Sequence, residues 1–464
     1  MKKISEKIVR LRIVVIVLVF LITIGLGYFI PRLKVNPDVM SYLPKDDAVA
    51  MQFEDVGKRF GGNQTVIVGV KSDDIFTEKT LSLIRDITDS LRVTDGIRSV
   101  VSLTNIIDIR EVDSVLTVSN LIDEYEIPSE PKDLDSIRQY TMSKDLYNGF
   151  IVSADSKMTM IAAKIEQEIT ETIDTNLTGK ALMVYYADKY PGKMYEFEQD
   201  ADTMKIKINK AAVADQIRDK LRTDFPDAEL YFGGLSFMVQ DIGDIIMHDI
   251  MLLGPIAFLF ILMALYLGFR NFRGVFLPVL TVLIAIIWTL GLMAILGYEI
   301  TLVSNVTPII LLAVGSAYTI HVVNRIGMEE RNGGNYKENI VAALKYIIIP
   351  VFLAAVTTMI GFLSFIYGSY LTMIRDFGIF TAIGVVFSLI LSLSFAPAVI
   401  SYFPPKKRTK TEDKPEKGII AAMLMFFYRL SVFRGKWVIL AWIILAGVMT
   451  FGGFKLERRV DLLD

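Results

Sequence analysis
Hydrophobic and polar positions alternate along this chain on two length scales. Apolar runs of about 20 residues, the length a helix needs to cross a bilayer, fall at 12–31, 249–269, 275–297, 302–323, 346–367, 377–400 and 437–454. The segment between the first two runs has a shorter period. "QTVIVGVK" (64–71) is β-branched and strand-like, Leu81, Ile84, Ile87 and Leu91 recur at helical spacing, and "IRSVVSL" (97–103) predicts a second strand. "GFIVSADSKMTMIAAKI" (149–165) predicts a hairpin turning at Ala154 to Lys157. Val213, Ile217 and Leu221 mark one face of a following helix, and "AELYF" (228–232) is a last strand that stops at Gly233-Gly234. Two strand-helix-strand groups around an open sheet predict a ferredoxin-like α+β domain, with 104–148 and 166–204 as insertions. The expected fold is a polytopic α-helical membrane protein with an extracytoplasmic α+β domain between its first and second transmembrane helices.

Charge sets the expected orientation. Lysine and arginine crowd the N-terminus, the 270–274 turn (Arg270, Arg273), the 324–345 loop and the run Lys406-Lys407-Arg408-Thr409-Lys410. With seven alternating spans these share one side, which the positive-inside rule makes cytoplasmic. The first span is too long for a signal peptide and lacks a small-x-small cleavage pattern. The parts are then 1–31 (N-terminus and first span), 32–248 (outer domain), 249–403 (five-helix cluster), 404–436 (linker and interfacial helix) and 437–464 (seventh span). Arg434-x-Lys436 and "LERRVD" (456–461) bracket that last span much as Arg10-x-Arg12 and "LKVNPD" (33–38) bracket the first, so 437–464 reads as the start of a second repeat.

Composition narrows the chemistry. Among 464 residues, 53% are hydrophobic and 22% charged, with a mean hydropathy of +0.46, the profile of a membrane protein. Zero cysteines exclude disulfides and thiolate sites, and two histidines, His248 and His321, exclude a multi-histidine metal centre. A net charge of −2 gives no general pull toward nucleic acid. With no H-E-x-x-H motif and no aspartate pair inside the spans, an intramembrane hydrolase is excluded. Neither a cofactor nor a metal is expected.

Several stretches are more specific: "MSYLPKDDAVAMQFEDVGKRFGG" (40–62), "TTMIGFLSF" (357–365), "IRDFGIFTAIGVV" (374–386), "FAPAVI" (395–400) and "GSAYTIHVVNR" (315–325). With the order helix, outer domain, five helices, these resemble the first half of a resistance-nodulation-division (RND) superfamily exporter of the MMPL type. The resemblance implies a multi-pass protein of the bacterial inner (cell) membrane, with a cytoplasmic N-terminus and a periplasmic porter domain. It also implies proton-driven export of lipids or other hydrophobic or amphiphilic molecules. Lipid cargo and membrane lipids are the implied partners, with a homo-oligomer or a periplasmic adaptor as further ones. In such exporters a carboxylate in span four carries the proton beside a tyrosine. Aligning "VNR" (323–325) puts Ala317 at the carboxylate position and Tyr318 at the tyrosine position, and, apart from Asp249 at the first residue of the second, no Asp or Glu lies inside the expected spans. That loss leaves a second reading, a non-transporting lipid- or sterol-sensing protein of the same superfamily.

The polar residues of span four therefore become the candidates. Ala317, His321 and Asn324 fall one turn apart on one helix face. Imidazole, with an unperturbed pKa of about 6.5, is suited to replace the acid, and polar residues inside spans mark functional sites. The competing reading places His321 near the membrane edge, about 6 Å from Arg325. Tyr318 is either a functional contact or a packing tyrosine. Ser316 and Thr319 are expected to bond helix carbonyls or a neighbouring helix. Thr357 and Thr358 of span five are candidates to face His321, and Gly315 and Gly361 to allow close helix approach.

Overall fold
The computed structural model describes residues 2–44, 46–59, 65–112, 115–123, 125–166, 168–173, 179–190, 194–200, 203–269, 272–331, 333, 335–403 and 419–454. The charged linker 404–417, "LERRVD" (456–461) and Arg270 lie outside the described residues. Helix α1 (Lys2–Arg10) carries the basic cluster, and α2 (Arg12–Gly27) is the apolar first span. Two short 3-10 turns, Ile30–Arg32 and Val39–Tyr42, then lead to α3 (Ala48–Arg59).

The domain that follows contains β1 (Thr65–Lys71), α4 (Glu78–Arg92), β2 (Ile97–Val101), β3 (Ile107–Val112), β4 (Val115–Asn120), α5 (Pro131–Met142) and β5 (Met158–Ile165). It continues with β6 (Glu168–Thr172), α6 (Gly179–Lys189), β7 (Tyr195–Asp200), β8 (Thr203–Ile208), α7 (Lys210–Asp224) and β9 (Glu229–Gly233). Strands in the order β2-β5-β1-β9 make one antiparallel sheet. Alternation aims Val66, Val68 and Val70 of β1 and Ile161, Ala163 and Ile165 of β5 at one face. There they meet Leu81, Ile84, Ile87 and Leu91 of α4 and Val213, Ile217 and Leu221 of α7. Burying each large side chain of this set contributes about 1.5–3 kcal/mol. Both helices begin at side-chain caps, Thr77 accepting from Thr80 N and Asn209 from Ala212 N.

The expected hairpin is present but short: Ser153 N donates to Met158 O at 2.8 Å and Met160 N to Ile151 O at 2.9 Å, with Val152 opposite Thr159, while the residues before it wind around Tyr147, whose carbonyl accepts from both Ile151 N and Val152 N. The turn into β5 is made by Ser156, at φ 54°. The 166–204 insertion is the larger part of a second sheet, β6-β8-β7, with Leu182 and Tyr186 of α6 packed on Met204 and Ile206 of β8.

The membrane part comprises α8 (Leu235–Phe269), α9 (Phe272–Ile295), α10 (Thr307–Arg331), α11 (Tyr336–Leu363), α12 (Phe365–Gly368), α13 (Thr372–Leu393) and α14 (Phe395–Ile400). Seven stretches among the described residues are long and apolar enough to cross a membrane: Arg12–Arg32, Leu235–Phe269, Arg273–Ile295, Ser304–Arg331, Tyr336–Gly368, Thr372–Ile400 and Gly435–Gly453. Four boundaries differ from the sequence reading. α8 is continuous from Leu235, so the expected domain limit at 248/249 falls inside a helix and His248 is an exposed helical residue. α10 runs on to Arg331, so Asn324 and Arg325 lie within it rather than at its end. The turn expected at 368–376 is only 369–371, which puts Arg375 and Asp376 in the first turns of α13. The sixth span breaks at Ser394 into α13 and α14.

In this bundle α10 packs against α9, α11 and α13, while α2 lies along α9. Trp288 Nε1 of α9 donates to Thr23 Oγ1 of α2 at 2.9 Å. A Cβ on Gly291, one turn further, would lie 2.4 Å from Leu26 O, so only glycine admits this approach. Residues 404–464 form a separate unit, in which α15 (Ile419–Phe433) and α16 (Gly435–Gly453) are described, and none of α16 is buried.

Candidate functional site
The polar residues of α10 divide between two faces of one helix. Residues two apart point about 200° from each other, so Thr319 and His321 cannot share a surroundings. Gly315, Ser316, Tyr318 and Thr319 are buried, whereas Ala313, His321 and Asn324 are exposed and Ala317 half-buried. The cluster read as one unit is thus an inner set and an outer set.

On the inner face the hydroxyls form a chain across three helices. Thr281 of α9 lies 2.8 Å from Thr319 of α10, which lies 2.7 Å from Ser392 of α13. Thr281 also reaches Leu277 O at 2.9 Å, and Ser392 reaches Ser388 O at 2.6 Å. With a further contact from Thr281 to Pro278 O at 2.9 Å, three hydroxyl protons must serve five contacts, so the donor direction of the chain is not fixed. Nearer the sheet domain, Thr307 of α10 meets Thr381 of α13 at 3.2 Å. Between these rungs an added Cβ on Gly315 would lie 2.5 Å from Ser388 Oγ and 3.0 Å from Val282 Cγ2. Ser388 Oγ is buried there with no hydrogen-bond partner.

The remaining candidates are placed as follows. Ser316 Oγ donates to Ala313 O at 3.1 Å, within its own helix. Tyr318 is 4% exposed, and its buried hydroxyl approaches Thr358 without hydrogen-bond geometry. Thr358 and Thr357 both donate to Ala354 O at 2.9 Å. Neither threonine is bonded to His321, because each is turned back onto its own helix. A Cβ on Gly361 would meet nothing within 4 Å, so this glycine mediates no helix contact. Arg325 pairs with Glu329 at 2.6 Å and covers the Tyr346 ring, its guanidinium carbon 4.8 Å from the ring centre.

His321 and Asn324 keep an exposed stripe with Ala313 and Met328, along which Ala317 is half-buried. They have no hydrogen-bond partner among the described residues. An unpartnered polar face on a spanning helix is expensive against lipid. Sequence reasoning overlooked Thr281, Thr307, Thr381, Ser388 and Ser392. A usable signal existed: Thr381, Gly384, Ser388 and Ser392 repeat at three- and four-residue spacing, the stripe of small residues through which membrane helices pack.

These features define a polytopic helical membrane protein with a sizeable domain between its first two spans. The sequence profile of the MMPL family matches residues 196–438, more than half of the chain, and the chain belongs to that family. It is also similar to a membrane protein of Methanocaldococcus jannaschii, 24% identical over 411 residues, which cover 86% of this chain and 93% of the relative.

Proposed function
We propose that this protein is an RND-type transporter that exports lipids or other hydrophobic or amphiphilic molecules across the cell membrane, driven by the proton gradient. Membership of the MMPL family supports the class. The observation that carries the coupling is the exposed His321–Asn324 stripe beside Ala317, where the resemblance expects an acid. In this reading His321 takes a proton from the outer side and releases it inward, with Asn324 orienting the ring from the next turn. The buried hydroxyls of Thr281, Thr319 and Ser392 hold the helices behind it rather than carry charge. The strand order β2-β5-β1-β9 with α4 and α7 on one face supports a ferredoxin-like porter domain. Lysine and arginine distribution supports its outer location.

The test is flux in proteoliposomes under an imposed pH gradient. His321→Ala and His321→Phe are expected to abolish gradient-driven movement of a fluorescent amphiphile while leaving thermal stability unchanged. Normal flux in both variants would remove His321 from the mechanism. Because Ala317 leaves span four without an acid at the position where the resemblance expects one, a second reading stands: a lipid sensor that binds an amphiphile with no gradient-dependent flux in the unaltered protein.

A further inference from the structure
Residues 33–44, between α2 and α3, cross the ends of the helices that face the sheet domain. In the turn joining α9 to α10, Ile300 N donates to Lys34 O and Asn36 N donates to Ile300 O, each at 2.8 Å. Tyr42, 2% exposed, is the deepest attachment. Its hydroxyl donates to Asn36 O at 2.6 Å and lies 3.5 Å from Leu302 N. Thr372 Oγ1, at the start of α13, donates to Tyr42 O at 2.9 Å. The stretch between is closed on itself: Asp38 N donates to Asn36 Oδ1 at 2.9 Å, Met40 N to Asp38 Oδ1 at 3.0 Å, and Asn36 Nδ2 to Ser41 Oγ at 3.0 Å. It therefore moves as one piece.

The other end is built differently. Asp47 caps α3, its Oδ1 accepting from Ala50 N at 2.7 Å, while its Oδ2 accepts from the Tyr370 hydroxyl. Tyr370 sits in the 369–371 loop before α13, where Ser369 O accepts from Arg375 Nε at 2.9 Å. One carboxylate thus ties the first turn of α3 to the loop between two spans. Water competes for this exposed bond and not for the buried Tyr42 contacts, so local opening is expected at Asp47 first.

We infer that residues 33–44 together with Asp47 form a two-point strap between spans and sheet domain. Tyr42 is its fixed point, and the Asp47–Tyr370 bond is a clasp that opens and recloses, through which displacement of the 369–371 loop reaches α3. Hydrogen exchange read by mass spectrometry on the full chain in micelles tests it. Tyr370→Phe is expected to raise exchange in 48–52 and 369–371 by roughly twofold or more, as for loss of one hydrogen bond, with β1 unchanged. No change in 48–52 would overturn the clasp. Tyr42→Phe should also loosen 298–304, and identical exchange maps for the two variants would overturn the division into fixed point and clasp. Because the chain has no cysteine, Asp47→Cys/Tyr370→Cys can be bridged with a short bismaleimide. Bridging is expected to slow exchange in 48–52 relative to the unbridged double variant, which lacks the clasp, and equal exchange would overturn the coupling of the 369–371 loop to α3. None of these readouts uses cargo or protons, so they stand or fall apart from the transport reading.

Discussion
Three glycines in the spans sit in graded surroundings, and Gly→Ala at each gives a graded test of how the bundle is held. Alanine in a helix interior gains about 0.5–1 kcal/mol over glycine from backbone entropy. At Gly361 nothing lies within 4 Å of the new Cβ, so that gain stands alone and the variant is expected to be more stable by about 0.5–1 kcal/mol. At Gly315 the new carbon meets Ser388 Oγ at 2.5 Å and Ser388 Cβ at 3.1 Å. The hydroxyl can rotate away without losing a hydrogen bond, since it has none, but Ser388 Cβ and Val282 remain. Overpacking of about 1–2 kcal/mol then roughly cancels or slightly exceeds the gain. At Gly291 the obstacles are Leu26 O at 2.4 Å and Leu26 C at 2.8 Å, backbone atoms that no rotamer change removes. Helix α2 must shift, at the upper end of overpacking costs, and the Trp288–Thr23 hydrogen bond one turn away is strained with it. A net loss of about 2–3 kcal/mol is expected. Unfolding by added SDS in micelles measures the order, with Trp288 as reporter at the α2–α9 contact once Trp437 and Trp442 are replaced by Phe. If Gly291→Ala matches the parent, or Gly361→Ala loses as much as Gly291→Ala, the bundle is not held by these close approaches.

Two further outcomes concern the sheet domain. Asp108 is 5% exposed and accepts from the Tyr147 hydroxyl at 2.7 Å, with Arg110 Nε 3.0 Å from its other oxygen. Tyr147→Phe should cost about 1.5–3 kcal/mol, as for a hydrogen bond to a charged group, and raise exchange in 107–120; unchanged protection there would contradict it. The Lys189 ammonium and the Tyr190 hydroxyl hold the Glu171 carboxyl below its ordinary range, and burial pushes Tyr190 up to about 12. A depressed carboxylate stabilises the fold above its unfolded pKa, and that contribution is lost as pH falls through the lower, folded value. Exchange around β6 and α6 should therefore rise on acidification below about pH 4, and Glu171→Gln should flatten that dependence.

The elements legible in the sequence were those whose burial is uniform or strictly alternating. The spans announce themselves by length, and β1, α4, β5 and α7 by one-sided patterns that the core of Val68, Ile84, Ile161 and Ile217 repeats in space. The β6-β8-β7 sheet was not, because "EITET" and "YEFEQD" carry charges on strands whose faces are largely exposed. Nor was the division of α10 into inner and outer faces. Ser316, Thr319 and His321 look alike as polar intrusions in an apolar run, and only the packing of α9 and α13 decides which of them is enclosed. Gly361 misled for the same reason: a glycine's role depends on what stands opposite it.

Helix α8 has 35 residues, about 52 Å at 1.5 Å each, against a hydrocarbon layer of about 30 Å. Its first turn is rooted in the sheet domain, where Phe237 is fully buried and its ring centre lies 5.2 Å from that of Phe232. Pro255, where the helix lacks a backbone donor, lies well down its length. It is a lever with its fulcrum set deep: a bend of about 10° at Pro255 would sweep Phe237 through about 5 Å. With no joint at residue 248 to absorb that swing, a small angular change in the second span is handed to the sheet domain as a translation.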